Sequence, residues 1–157
     1  MWNMLGSPAR ILVVDDDWAI LQVVALKLRF AGLEVTCAMD GDEALVALRQ
    51  QPFDLVITDL QMPRMSGIEL AQAMAATPTL ARIPVLLLTA QDHQLREDFA
   101  QGVNIAAFIS KPFSPRVLLS EVLALLEQSC ERQEQGADDA PGDAGRLAKD
   151  SKEREAA

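Results

Sequence analysis

The sequence predicts one doubly wound α/β domain: a parallel five-stranded sheet with helices on both faces. Two observations carry this. Five short apolar runs recur along the chain, each continuous enough for a strand buried on both faces, and each is followed by a helix-length amphipathic segment. A third observation sets the size, because 157 residues, 50% of them hydrophobic, suffice for one well-buried core and not comfortably for two.

The first run, RILVV (Arg10–Val14), leads into a helix predicted over Trp18–Ala31, with Asp17 as its N-cap and Gly32 closing it. LEVTCA (Leu33–Ala38) is the second strand, and Asp42–Gln50 the second helix, ending before Pro52. DLVIT (Asp54–Thr58) and a helix over Gly67–Ala76 follow, then PVLLL (Pro84–Leu88) and a helix over Asp92–Gln101 that stops at Gly102. AAFIS (Ala106–Ser110) is the fifth strand and Ser114–Gln128 the fifth helix. Parallel strands need right-handed crossovers, so five βα units in series close into a sheet sandwiched by five helices.

Composition then divides the chain. Residues 1–9 read as an N-terminal extension, 10–128 as the domain, and 129–157 as a flexible acidic tail. From Glu131 onward Leu147 is the only large aliphatic side chain, too little apolar surface to offset the entropy of ordering. The net charge of -9 argues against direct nucleic-acid binding, which depends on Lys and Arg neutralising phosphates. Cys37 and Cys130 form no spaced framework, the N-terminus lacks a signal-peptide core, and the apolar runs are far shorter than the ~20 residues that cross a bilayer. A soluble cytoplasmic protein with no membrane insertion is the expectation.

In doubly wound sheets ligands sit beyond the carboxyl ends of the strands. Those ends carry Asp15, Asp16 and Asp17 after the first strand, Asp59 after the third, Thr89 after the fourth and Lys111 after the fifth. Carboxylates gathered so closely repel one another unless they are protonated or hold a cation, and Mg²⁺, a hard ion that prefers oxygen ligands, is the simpler answer. Asp17 is better read as a helix cap than as a ligand, and His93, the only histidine, as a solvated surface residue.

The motifs ILVVDDD, DLVITDLQMPRMSG, LLLTA and FISKPF, in that order and at that approximate spacing, resemble the receiver domain of bacterial two-component response regulators over roughly Arg10 to Gln128. The resemblance implies the flavodoxin-like strand order 2-1-3-4-5. It implies that Asp59 is the phosphoacceptor, that Asp15, Asp16, Asp59 and the carbonyl of Gln61 hold Mg²⁺, that Thr89 and Lys111 bind the phosphoryl group, and that Phe108 is the aromatic switch residue. Self-phosphorylation and autodephosphorylation would then be the only chemistry, with no metabolic enzyme activity. The implied partners are a sensor histidine kinase or phosphotransfer protein and a downstream protein target, with the face of the fourth helix, fifth strand and fifth helix as the output or homodimer surface. A shuttle in a multi-step phosphorelay is the alternative. A haloacid-dehalogenase-type phosphatase is disfavoured because the position two after Asp59 is Gln61 rather than an acid, and a flavodoxin-like electron carrier because a triple aspartate would repel its phosphate. No output module follows Gln128, which gives the expectation of a stand-alone receiver. One departure stands out: Lys111 lies nine residues after Gly102, so the loop before the fifth strand is expected to be longer than usual.

Overall fold

The computed structural model describes residues 6–90 and 102–139. Mostly apolar runs form the strands β1 (Arg10–Val14), β2 (Glu34–Ala38), β3 (Leu55–Asp59), β4 (Val85–Thr89) and β5 (Ile105–Ser110), with Glu34 and Thr36 giving the outer strand β2 a polar face. They build one parallel sheet in the order β2-β1-β3-β4-β5. Four helices lie among the described residues: α1 (Trp18–Phe30), α2 (Gly41–Gln50), α3 (Gly67–Ala75) and α4 (Pro115–Asp139). The helix expected over Asp92–Gln101, and His93 within it, lies outside the described residues.

Alternation along each strand divides the core into two layers. Ile11, Val13, Leu55, Ile57, Leu86 and Leu88 face α1 and α4, packing with Leu21, Val24, Leu28, Leu118 and Val122. Leu12, Val14, Val56 and Leu87 face the other way, against Ala44 and Leu48 of α2 and Leu70 and Met74 of α3. The central strands are therefore buried on both sides along their length, and their polar groups lie at their ends.

Local chemistry sets the helix starts. The Asp17 side chain caps α1, accepting from the backbone N–H of Ala19 and Ile20, as its sequence position suggested. Asp40 caps α2 through Glu43, and α2 consequently begins at Gly41, one residue earlier than expected. Ser66 and Glu69 form a reciprocal capping box at α3.

Three boundaries differ in ways that matter. β3 and β4 each run one residue further than expected, so that Asp59 and Thr89 are the last residues of their strands. The extra length before Lys111 is partly taken up inside β5: Val85 pairs with Ile105 and Leu86 with Ala107, leaving Ala106 as a bulge. α4 continues past Gln128 to Asp139, because SCERQEQGADD is rich in helix-forming Glu, Gln, Arg and Ala and meets no proline before Pro141. Too little apolar surface to build a core does not preclude a helix.

α4 turns most of its large apolar residues toward the core. Leu118, Val122, Leu125 and Leu126 are buried, Leu119 and Leu123 are half-buried, and Val117 is the exposed large hydrophobic on this helix.

Candidate functional site

β1 ends against β2 and β3, and its continuation carries Asp15 and Asp16; the Asp15 N–H donates to the carbonyl of Ala38 at the end of β2 (3.2 Å). Asp59 closes β3 beside it. One oxygen from each of Asp15, Asp16 and Asp59 lies within 4.8 Å of the others. Asp15 and Asp59 are buried and Asp16 is exposed, so the cluster opens to solvent on one side.

Lys111, just after β5, reaches back across the sheet ends. Its Nζ donates to Asp15 Oδ2 at 3.1 Å and pairs with Asp59 Oδ1 at 3.3 Å. Two backbone links fix the strand ends it spans: the Lys111 N–H donates to the Thr89 carbonyl (2.8 Å), and the Leu60 N–H to the Leu88 carbonyl (2.8 Å). Thr89 is buried at the end of β4, in register with Ser110. The site residues expected from the strand ends are thus gathered on one rim.

The electrostatics are those of too much negative charge for one ammonium. Burial raises the Asp15 pKa above 3.8, and neighbouring Asp59 adds to the rise, while the Asp17 N–H and Lys111 only partly oppose it. Burial likewise raises Asp59, against the pull of Lys111 and of a hydrogen bond from the Gln61 N–H. For Lys111 burial works against the charge, but the hydrogen bond to Asp15 and the two carboxylates outweigh it and raise its pKa above 10.5.

These residues fit a hard divalent cation. An octahedral Mg²⁺ with oxygens at about 2.0–2.1 Å spaces them roughly 2.9 Å apart when adjacent and 4.2 Å when opposite, close to the spread of this cluster. The donor set is all oxygen, and the open side leaves room for the waters that Mg²⁺ retains.

The turn between β3 and α3 is built around this site. Gly67 N–H donates to the Leu60 carbonyl (2.9 Å), and a Cβ on Gly67 would collide with the Asp59 carbonyl oxygen and sit 3.0 Å from Leu87 Cδ2. Only glycine lets α3 start so close to the acidic strand end. Phe108, half-buried, pairs with Leu87 in the sheet and packs on the α2–α3 side of the core. Sequence reasoning passed over Asp40 and Arg64, which join across 2.9 Å beside this turn but lie 24 residues apart with no motif linking them.

Three aspartates and one lysine gathered at the strand ends of a doubly wound sheet make a site that can hold a cation and meet an anionic group. The model of the response regulator receiver domain matches residues 11–123, and the chain belongs to that family. It is 31% identical over 137 residues to the sensory transduction protein RegX3 of Mycolicibacterium smegmatis, covering 86% of this chain and 58% of that protein. Among solved structures, the chemotaxis response regulator CheY4 of Vibrio cholerae superposes with a TM-score of 0.71 at 34% identity, covering 76% of this chain and 99% of that one. A CheY-like receiver domain protein of Methanospirillum hungatei gives 0.73 at 31%, covering 80% and 99%. The chain spans about half the length of the curated relatives it matches. Among the described residues no helix is long and apolar enough to cross a membrane.

Proposed function

We propose that Asp59 accepts a phosphoryl group from the phosphohistidine of a sensor histidine kinase or phosphotransfer protein, in a reaction that requires Mg²⁺. Residues 10–128 form the receiver module in this reading, and the tail from 129 begins as helix. The observation that carries the proposal is the Lys111 ammonium set between Asp15 and Asp59, at 3.1 and 3.3 Å, beside a third carboxylate.

An Asp59 oxygen attacks phosphorus, the new O–P bond forms, and the P–N bond to the donor imidazole breaks, its electron pair staying on the nitrogen, which is then protonated. Attack by an anion on an anionic group is slow unless charge at the transferring oxygens is neutralised. Bound Mg²⁺, held by Asp15, Asp16, Asp59 and the Gln61 carbonyl, would supply that neutralisation. Lys111 supplies the rest: it leaves Asp59 for a phosphoryl oxygen while keeping Asp15. The Thr89 hydroxyl, at the end of the neighbouring strand, donates to another phosphoryl oxygen, and the side of the sheet bearing Phe108 relays that movement to the output face. A cavity of about 470 Å³, lined by Ala19, Ile20, Val23, Pro112 and Phe113 beside Lys111, offers a donor protein apolar surface next to the reacting carboxylate.

Incubation with a small phosphodonor should label the protein only when Mg²⁺ is present, with a base-labile, acid-stable bond. Asp59→Asn should remove the label while the protein still melts in a cooperative transition no lower than wild type in chelator. Equal labelling of that variant, or labelling in excess chelator, would overturn the assignment.

A further inference from the structure

We propose that Arg64 is a positioning residue: by bridging the turn after β3 to the start of α2, it sets the spacing of the acidic cluster. This rests on reading that cluster as a Mg²⁺ site. Arg64 has φ +69°, the described non-glycine residue in the left-handed region that glycine adopts freely. A side chain kept at such a position needs a reason. Here it is an ion pair, Arg64 Nη2 to Asp40 Oδ2 at 2.9 Å.

Asp40 is held from its other side, because its Oδ1 accepts the Glu43 N–H at 2.8 Å as the cap of α2. The guanidinium is therefore tied to a rigid helix start, not to a mobile side chain. The next residue adds a second, apolar contact. A Cβ built on Gly41 would fall 2.5 Å from Met65 Sδ and 2.8 Å from its Cβ and Cγ, so the Met65 side chain occupies the space that a side chain at position 41 would need.

Both contacts close a ring around the site. From Asp40 the chain runs back two residues to Ala38, whose carbonyl accepts the Asp15 N–H. From Arg64 it runs back three residues to Gln61, whose N–H bonds the Asp59 carboxylate. The two strands carrying the carboxylates are thus joined on the outer rim by Asp40–Arg64 as well as by the β1–β3 ladder. The Arg64 side chain is 70% exposed, and an ion pair so open contributes little to stability. What it can do is choose one position for the turn that carries Gln61.

The test is calorimetric titration of the full chain with Mg²⁺, together with thermal melts without metal, for wild type, Arg64→Gly, Asp40→Asn and the double variant. Asparagine caps helices as well as aspartate does, so Asp40→Asn weakens the bridge and keeps the cap. Each single variant should raise the Mg²⁺ dissociation constant by about three- to tenfold, below the usual effect of residues touching the ligands directly. The double variant should be no weaker than the worse single one, because both remove the same contact. Arg64→Gly should melt no lower than wild type, since glycine tolerates the backbone conformation. Gly41→Ala should also weaken binding, and adding Met65→Ala should restore it. Wild-type Mg²⁺ affinity in both Arg64→Gly and Asp40→Asn would overturn the inference while leaving the metal site intact. A wild-type protein that binds no Mg²⁺ would overturn the reading of the site and this inference with it.

Discussion

Replacing Lys111 with methionine keeps the length of the side chain and removes its charge, which isolates what the ammonium does. It faces Asp15, whose side chain is fully buried, and Asp59, whose side chain is 10% exposed. Removing one partner of a buried ion pair typically costs about 3–5 kcal/mol, because the remaining charge stays desolvated and unpaired. Lys111 keeps 20% of its exposure, and the two acids can relieve themselves by taking up a proton, so roughly 2–4 kcal/mol is the expected loss at neutral pH. For a domain of this size that is roughly 6–16 °C in melting temperature. Mg²⁺ bound at the proposed site would supply the missing positive charge, so saturating metal should raise the melting temperature of Lys111→Met more than that of wild type. Differential scanning calorimetry in chelator and in excess Mg²⁺ reads both numbers. A variant that melts within a degree of wild type in chelator, with the same gain from Mg²⁺, would refute the view that Lys111 neutralises the acidic pair.

Three further outcomes follow from the same site. Asp59→Asn removes a charge from a repulsive cluster and should raise the chelator melting temperature by roughly 1 kcal/mol equivalent, while weakening Mg²⁺ binding in calorimetry. Asp15 and Asp59 both have folded pKa values raised above 3.8, so they favour the folded state at low pH and that contribution is lost as pH rises through the raised values. Chemical denaturation in chelator should therefore show this contribution declining from about pH 4 upward, a decline that Asp59→Asn reduces and Mg²⁺ suppresses. Gly67→Ala sets a methyl group against the Asp59 carbonyl oxygen and should cost about 1–3 kcal/mol in urea denaturation, with slower phosphorylation because the reacting strand end is displaced.

Most of the fold was legible because the inner strands of the sheet are buried on both faces. Runs such as ILVV and LVIT admit no other placement, and Gly, Pro and Asp punctuate the helices between them. The rim was legible for the same reason: a polar residue ending a continuous apolar strand must come out at the carboxyl end of the sheet, and Asp15, Asp59, Thr89 and Lys111 all do. Length was harder to read. The bulge at Ala106 looks in sequence like a longer loop, since one extra residue can be absorbed in a strand without changing composition. The run of α4 to Asp139 was missed because a polar segment was judged by the core it could build and not by its helix propensity. Arg64 could not be anticipated from pattern at all, because its partner is 24 residues away and the link depends on a single backbone angle.

The central claim, that Asp59 is the group that carries the phosphoryl moiety, is tested most directly by trapping the acyl phosphate chemically. The protein is phosphorylated with a small donor and Mg²⁺, reduced with borohydride so that the phosphorylated aspartate becomes homoserine, then digested and sequenced by mass spectrometry. Homoserine at position 59, absent when Mg²⁺ is withheld, is the predicted result. Homoserine at Asp15 or Asp16 instead, or at position 59 equally with and without Mg²⁺, would contradict it.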